Sequence, residues 1–198
     1  MAGGSVLGMP FSRNIIIPNG IAFVSALAGF FLFRVMVPEP NTGVHQSGAQ
    51  ETSLVGSMVP ELELPDPQGR MTPLSTWKGR PMLINFWATW CPPCREEIPD
   101  LMALRHEFAD RGLVIVGVAL DEPDKVSAFV EEFGIEYPIL VEPGRGMAMN
   151  RAFGNALGVL PYTVFVDALG IVRSIHRGAL TRRQGRERVQ SLLNLKDL

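Results

Sequence analysis

Residues 82–94 read Met-Leu-Ile-Asn-Phe-Trp-Ala-Thr-Trp-Cys-Pro-Pro-Cys and contain the two cysteines of the 198-residue chain, Cys91 and Cys94. Residues 82–88 are mostly apolar on both faces, which predicts a central strand covered by helices. A helix is predicted from residue 92 to about 110, so both thiols would lie at its N-terminal end. Two cysteines separated by two residues, beside a strand and a helix, are typical of a reversible redox pair.

The positions of the two cysteines predict different roles for them. Unpaired N–H groups and the positive dipole at a helix N-terminus lower the pKa of a nearby thiol. Cys91 is therefore expected to be the attacking nucleophile, open to solvent, and Cys94, nearly one turn later, the resolving thiol. Pro92 and Pro93 stiffen this turn and remove two N–H donors that would stabilise a thiolate. Together with Trp90, the two prolines are expected to line the docking surface for a substrate.

Composition argues against several other kinds of chemistry. A formal net charge of −2 gives no reason to expect a nucleic-acid partner. A zinc site would need two ligands besides the cysteines, and His45, His106 and His176 show no ligand spacing. We therefore predict no bound metal, and no cofactor other than the redox-active disulfide between Cys91 and Cys94.

The rest of the chain predicts alternating strands and helices, followed by a hairpin and a closing helix. The predicted elements are strands at 113–120 and 137–141, helices at 121–133 and 146–157, a hairpin of strands 162–167 and 171–177, and a last helix opened by the capping box Thr181-x-x-Gln184. This order implies an α/β fold, a three-layer sandwich in which helices cover both faces of a mixed central sheet.

The N-terminal region predicts a membrane anchor. Residues 15–33 contain no charged side chain, and as a helix they would be about 28 Å long, close to the ~30 Å hydrocarbon core. We assign 1–14 as a cytoplasmic N-terminus, 15–37 as one transmembrane helix, 38–57 as a flexible linker and 58–198 as the globular domain. A cleaved signal peptide and a buried core helix are the alternatives, although the apolar run is long for the first and apolar all round for the second.

Residues 79–101 closely resemble the membrane-anchored thioredoxin-like proteins of the TlpA/ResA type, and the similarity covers about 58–198. The resemblance implies a thioredoxin-like fold. It also implies that Pro161 is a cis-proline beside the active-site disulfide, although cis X–Pro bonds are uncommon. The backbone of Leu160 would then face the substrate chain and pair with it as an added strand.

The same resemblance bears on the proton acceptor for Cys94. Thioredoxins use a buried aspartate on the strand before the motif, and the matching residue here is Asn85, whose amide cannot serve as a base. Glu97 lies three residues beyond Cys94 on the same helical face, and similar reductases carry a glutamate at this position. Glu97 is therefore the expected acceptor, with its pKa raised by partial burial. The alternative is a solvated glutamate like its neighbour Glu96.

These inferences predict a membrane-tethered thiol:disulfide oxidoreductase on the periplasmic side of a bacterial inner membrane. The resemblance favours a reductant, because strong oxidants of this fold carry a histidine between the cysteines and this chain has Pro92 and Pro93. The implied partners are a membrane thiol protein as electron donor and periplasmic clients in cytochrome c or copper-centre maturation. Two alternatives are a copper-binding metallochaperone and a thiol peroxidase, although the peroxidase pattern P-x-x-x-T-x-x-C does not precede Cys91.

Overall fold

The computed structural model describes residues 54–144 and 146–194. The predicted cytoplasmic N-terminus and anchor, and nearly all of the predicted linker, lie outside these residues. Within the two described ranges, no helix combines the length and the apolar character that crossing a membrane requires.

A five-stranded sheet forms the centre of the globular domain, as predicted. Its order is β5-β4-β3-β6-β7; β3, β4 and β5 run parallel, whereas β6 and β7 are antiparallel to their neighbours. A separate hairpin of β1 and β2 precedes it. The strands are β1 (Glu63–Pro65), β2 (Met71–Pro73), β3 (Met82–Trp87), β4 (Val114–Ala119), β5 (Ile139–Val141), β6 (Tyr162–Val166) and β7 (Val172–Arg177).

Four helices accompany this sheet. They are α1 (Pro92–Phe108), α2 (Pro123–Phe133), α3 (Gly146–Ala152) and α4 (Arg182–Asn194), with short 3-10 turns at Leu74–Trp77 and Ala109–Arg111. One apolar cluster joins the sheet to α1, α2 and α4, and a second joins its opposite side to α3 and the first 3-10 turn. The predicted three-layer arrangement with a mixed sheet is therefore confirmed.

Strand β3 is buried along its whole length because it contributes to both clusters. Leu83 and Trp87 belong to the cluster under α1, whereas Ile84 and Phe86 belong to the other. Full burial of each such side chain is worth about 1.5–3 kcal/mol. Asn85 is the polar exception in the strand, and it lies on the same face as Leu83 and Trp87 because side chains alternate along a strand.

Helix α3 is shorter than the predicted helix at 146–157, and this prediction was wrong. The helix ends at Ala152, and Gly154 has a φ of 77°, in the left-handed region that favours glycine. Beyond it, the Asn155 side chain accepts from the N–H of Val159 at 3.0 Å and donates to its carbonyl at 2.8 Å. An asparagine that bonds nearby backbone in this way stabilises a loop instead of another helical turn.

The hairpin and the last helix follow the sequence prediction. Strands β6 and β7 pair antiparallel, with Gly170 at a φ of 85° in their connection. At the start of α4, the N–H of Thr181 donates to Gln184 Oε1 at 3.1 Å and the N–H of Gln184 donates to Thr181 Oγ1 at 3.4 Å. These reciprocal bonds are the predicted capping box, so this helix begins where the sequence indicated.

Candidate active site

Cys91 and Cys94 form a disulfide at the junction between the central strand and α1. Cys91 occupies the N-cap position with extended backbone angles, φ −94° and ψ 104°, and Pro92 and Pro93 begin the helix. The Cα atoms of the two cysteines are 5.3 Å apart. The structure thus brings both predicted redox residues together at a helix N-terminus.

The exposure of Cys91 differs from the sequence prediction. We expected this residue to be open to solvent, but only 3% of it is exposed in the oxidised protein. Its sulfur is bonded to that of Cys94, which is fully buried, and both cysteines belong to the apolar cluster under α1. Trp90 projects instead, with 67% of its surface exposed. A partner would therefore meet Trp90 before it reaches the sulfur atoms.

The Cys91 sulfur accepts one backbone hydrogen bond, from the N–H of Cys94 at 3.3 Å. At an ordinary helix start, a capping side chain accepts from the second or third helical residue. Here the second helical residue is Pro93, which has no N–H. The local sequence thus leaves Cys91 a single backbone donor from the first turn.

The peptide bond between Leu160 and Pro161 is cis, in agreement with the expectation from the family resemblance. Pro161 is buried and Leu160 is half-buried, and Leu160 packs against both apolar clusters. Strand β6 begins with the next residue and pairs with β3, the strand that leads to the cysteines. The cis-proline segment is thereby tied to the central strand of the sheet.

Glu97 is buried beneath the disulfide helix and is held by two donors. Only 2% of it is exposed. Its Oε1 accepts from Asn85 Nδ2 at 2.7 Å, and its Oε2 accepts from the backbone N–H of Leu180, also at 2.7 Å. Asn85 Nδ2 further donates to Thr163 Oγ1 at 3.0 Å. The alternative of a solvated glutamate was wrong for Glu97, whereas its neighbour Glu96 is exposed.

Burial raises the pKa of Glu97 to about 7. The hydrogen bonds from the Leu180 N–H and the Asn85 amide lower this pKa, and the nearby negative charge of Asp100 raises it further. A carboxyl group poised near neutral pH is suited to accept and release a proton during catalysis. The structure therefore places a group of suitable pKa one helical turn beyond Cys94.

The match to known families covers most of the globular domain. A model described as the AhpC/TSA family matches residues 55–175. The chain belongs to the AhpC/TSA family. Together with the relatives below, this membership shows that the chain is a thiol–disulfide oxidoreductase with a thioredoxin-like fold.

Two curated relatives and one solved structure illustrate the similarity. The thiol-disulfide oxidoreductase ResA of Geobacillus thermodenitrificans is 34% identical over 70% of this chain and 78% of its own length. The thiol:disulfide interchange protein DsbE of Vibrio cholerae is 35% identical over 91% of this chain and 94% of its own. A thioredoxin-family thiol:disulfide interchange protein from Chlorobium tepidum superposes with a TM-score of 0.60 at 29% identity, over 69% of this chain and 95% of its own.

Two hydrogen-bond partners near the disulfide could not be found from local sequence patterns. Leu180 is 83 residues from Glu97, and Thr163 is 78 residues from Asn85, so only the folded sheet reveals these contacts. The nearly continuous apolar run at 162–166 predicts a strand that is buried on both faces, but it does not identify the partner of Thr163.

A second contact that sequence reasoning missed positions the loop before the cysteines. Thr89 Oγ1 donates to Asp121 Oδ2 at the end of β4. Burial raises the pKa of Asp121, but the bonds from Thr89 and the Glu122 N–H, together with the neighbouring Lys125 ammonium, lower it overall. Asp121 therefore remains ionised and anchors the Thr89 loop next to Trp90.

The Cys91–Cys94 disulfide can exchange two electrons through its sulfur atoms. Within residues 54–144 and 146–194, no three His, Cys, Asp or Glu side chains are grouped so that they would hold a metal ion.

Proposed function

We propose that this oxidoreductase is a membrane-tethered reductant of disulfides in periplasmic client proteins, acting in the maturation of c-type cytochromes or copper centres. The observation that carries the direction of transfer is the single backbone N–H donor to Cys91 Sγ. A strong oxidant of this fold owes its potential to a stabilised reduced form. Because Pro93 supplies no N–H at the second helical position, the Cys91 thiolate gains little stabilisation from the first turn, which favours transfer of electrons to the client.

The reaction follows from the roles of the two thiols. The Cys91 thiolate attacks one sulfur of the client disulfide, and the other client sulfur leaves as a thiolate. Cys94 then loses its proton to Glu97 and attacks Cys91 Sγ, which forms the Cys91–Cys94 disulfide and releases the second client thiolate. The client gains two electrons and the enzyme loses two. With two cysteines in the chain there is no internal relay, so an external membrane thiol protein would return the electrons.

The exposed surroundings of the disulfide support a docking surface for the client. Trp90 and Pro92 are exposed beside Cys91, and Pro93 is half-buried. Across the site, the backbone of Leu160 and Pro161 precedes β6 in a cis conformation. An extended client segment would lie between these two parts and pair with the Leu160 backbone as an added strand.

The N-terminal sequence supports the membrane tether. The alignment with DsbE of Vibrio cholerae covers 91% of this chain, so the similarity extends into the region before residue 54. Residues 15–33 carry no charge over a length that fits the hydrocarbon core. We therefore propose residues 15–37 as the anchor, with 1–14 in the cytoplasm and the catalytic domain in the periplasm. The linker predicted at 38–57 would end earlier than the sequence suggested, because the Gly56 N–H donates to the Val172 carbonyl at 2.8 Å and the Val172 N–H donates to the Ser57 carbonyl at 2.9 Å.

Replacing Pro93 tests the direction of electron transfer. Pro93→Ala restores an N–H at the second helical position, from which Cys91 Sγ is able to accept. We expect the pKa of Cys91 to fall and the potential to become more oxidising by roughly 30–60 mV, since a hydrogen bond to a charged group contributes about 1.5–3 kcal/mol. Equilibration with glutathione and an ultraviolet thiolate titration measure the two quantities.

Pro92→Ala is the matched control for this experiment. It restores an N–H at the first helical position, which does not face the capping side chain. Like Pro93→Ala, it also replaces one proline and so changes the entropy of the unfolded chain by a similar amount. A potential that stays constant in Pro93→Ala, or that shifts equally in both variants, would contradict the donor argument.

Trapping of the client tests the remainder of the proposed function. Full-length Cys94→Ala cannot resolve the mixed disulfide on Cys91, so the client remains attached. In a Gram-negative host, we expect the adducts in the membrane fraction, joined to periplasmic proteins with haem-attachment or copper-site cysteines. Mass spectrometry identifies them, and Cys91→Ser should give none. Adducts only with cytoplasmic proteins would overturn the proposed location. Copper bound by the reduced wild-type protein, without disulfide reduction, would favour the metallochaperone alternative.

A further inference from the structure

A row of residues that spans the sheet beneath α1 connects the Glu97 site to a second buried group. Asn85 on β3 is in register with Gly117 on β4 and with Thr163 on β6, and Gly117 is in register with Ile139 on β5. Neighbouring strands are about 4.8 Å apart. Asn85 donates to Glu97, and its neighbour on the adjacent strand β4 is Gly117, which has no side chain.

The Tyr137 ring and the Trp87 indole lie over Gly117. A Cβ atom at this glycine would lie 2.9 Å from Trp87 Nε1, 3.1 Å from Tyr137 Cε2 and 2.6 Å from Ile139 Cδ1. A Cβ atom at residue 117 would therefore force the Trp87 indole and the Ile139 side chain to move. The glycine thus makes room for the tyrosine one strand away from Asn85.

The Tyr137 hydroxyl and Trp87 Nε1 are both buried, and neither has a hydrogen-bond partner among the residues that the structure describes. An unpaired buried polar group is destabilising, and native proteins contain few of them. Phenylalanine would fill the same space as Tyr137 without this cost. The hydroxyl therefore calls for an explanation other than packing.

Glu97 lacks the partner that its protonated form needs. Both of its carboxylate oxygens accept hydrogen bonds, from the Asn85 amide and from the Leu180 N–H. In the orientation that the structure shows, these two groups are donors, so they suit the ionised carboxylate, whereas a carboxyl O–H needs an acceptor. A protonated Glu97 therefore requires an acceptor nearby. Burial and the adjacent Glu97 charge both raise the pKa of Tyr137, so its hydroxyl stays neutral and retains lone pairs that accept.

We propose that the Tyr137 hydroxyl is the hydrogen-bond acceptor for protonated Glu97, and thus a positioning residue for the proton transfer from Cys94. The proton passes from the Cys94 thiol to the Glu97 carboxylate as Cys94 attacks Cys91 Sγ. The new O–H is then held by the Tyr137 hydroxyl, either after side-chain movement or through one solvent molecule. Other titratable groups near Glu97 are Cys94 and Asp100 on α1 and His176, which lies opposite Thr163 on β7. This inference rests on the proposed role of Glu97 as the base.

Tyr137→Phe tests this inference, because it removes the hydroxyl and keeps the ring. In the oxidised full-length protein, carbon-13 NMR of the glutamate carboxyl groups measures the pKa of Glu97. We expect this pKa to fall by roughly 0.5–1 unit, since the lost bond favours the protonated form. Tyr162→Phe is the control, because its hydroxyl is buried elsewhere and bonds to the Phe153 carbonyl at 2.8 Å. A Glu97 pKa that is unchanged or higher in Tyr137→Phe would overturn the proposal.

A kinetic measurement separates failure of this inference from failure of the proposed base. Reduced protein is mixed with dithiobis(nitrobenzoate), and release of the second thionitrobenzoate reports attack of Cys94 on Cys91. We expect Tyr137→Phe to slow this step roughly 3–10-fold at neutral pH, and to have no further effect in a Glu97→Gln background. An equal effect in both backgrounds would overturn the proposal. If Glu97→Gln is as fast as wild type while the pKa still falls in Tyr137→Phe, the base role fails and the hydrogen bond stands.

Discussion

The Glu97→Gln variant is expected to resolve mixed disulfides about 100-fold more slowly than wild type at neutral pH, since general-base catalysis contributes about 10²–10⁴-fold. Glutamine keeps the size of the side chain and still accepts from Asn85 or Leu180, but it takes no proton from Cys94. The first thionitrobenzoate release, which depends on Cys91, should be little changed. The second, which depends on Cys94, should be slow, and the Cys91 adduct should accumulate.

Glu96→Gln is the matched control for this variant. Glu96 is the exposed neighbour of Glu97 on the same helix, so Glu96→Gln makes the same chemical change without touching the buried network. We expect wild-type kinetics. Equal rates in Glu97→Gln and wild type would show that the proton of Cys94 leaves by another route.

Stability should also depend on pH through Glu97. The pKa is about 7 in the folded protein and 4.5 in the reference state, so between these values the native state binds a proton that the unfolded state does not. The free energy of unfolding therefore decreases as pH rises through this window, by about 3 kcal/mol, and the decrease is complete above pH 7. Glu97→Gln lacks this contribution.

The difference in unfolding free energy between Glu97→Gln and wild type separates the titration of Glu97 from that of the other ionisable groups. We expect the stability of Glu97→Gln relative to wild type to increase by about 3 kcal/mol between pH 4.5 and 7.5. Urea unfolding of the oxidised proteins across this range measures it, with Glu96→Gln expected to parallel wild type. Parallel curves for Glu97→Gln and wild type would mean that Glu97 does not titrate near neutrality. If the expected result is obtained, ionisation of Glu97 lowers stability at the neutral pH where we propose that it acts as a base.

Much of the fold follows from local sequence patterns. Residues 82–88 predict a buried central strand because they carry large apolar side chains on both faces, and β3 is buried throughout. The capping box at Thr181 and the hairpin at Gly170 each depend on contacts between residues close in sequence. Local contacts of this kind are visible without the tertiary structure.

The remaining features depend on specific contacts that hydrophobic periodicity does not reveal. The exposure of Cys91 was mispredicted because its sulfur is bonded to a buried cysteine within the apolar cluster. Helix α3 was predicted too long because the bonds of Asn155 to Val159 compete with helical ones. The position of Tyr137 over Gly117 requires the pairing of β3, β4 and β5. Periodicity within one segment contains no information about such pairings.

The contact between α1 and the start of α4 has a consequence for biosynthesis. The N–H groups of Leu180 and Arg182 donate to Glu97 and Asp100 on the disulfide helix, at 2.7 Å and 2.9 Å. A growing chain presents its two thiols well before residues 180–194 have been synthesised. The hydrogen-bonded surroundings of the Glu97 carboxyl group are therefore completed only when the last helix docks. During synthesis, the cysteine pair is present before the contacts that hold Glu97 have formed.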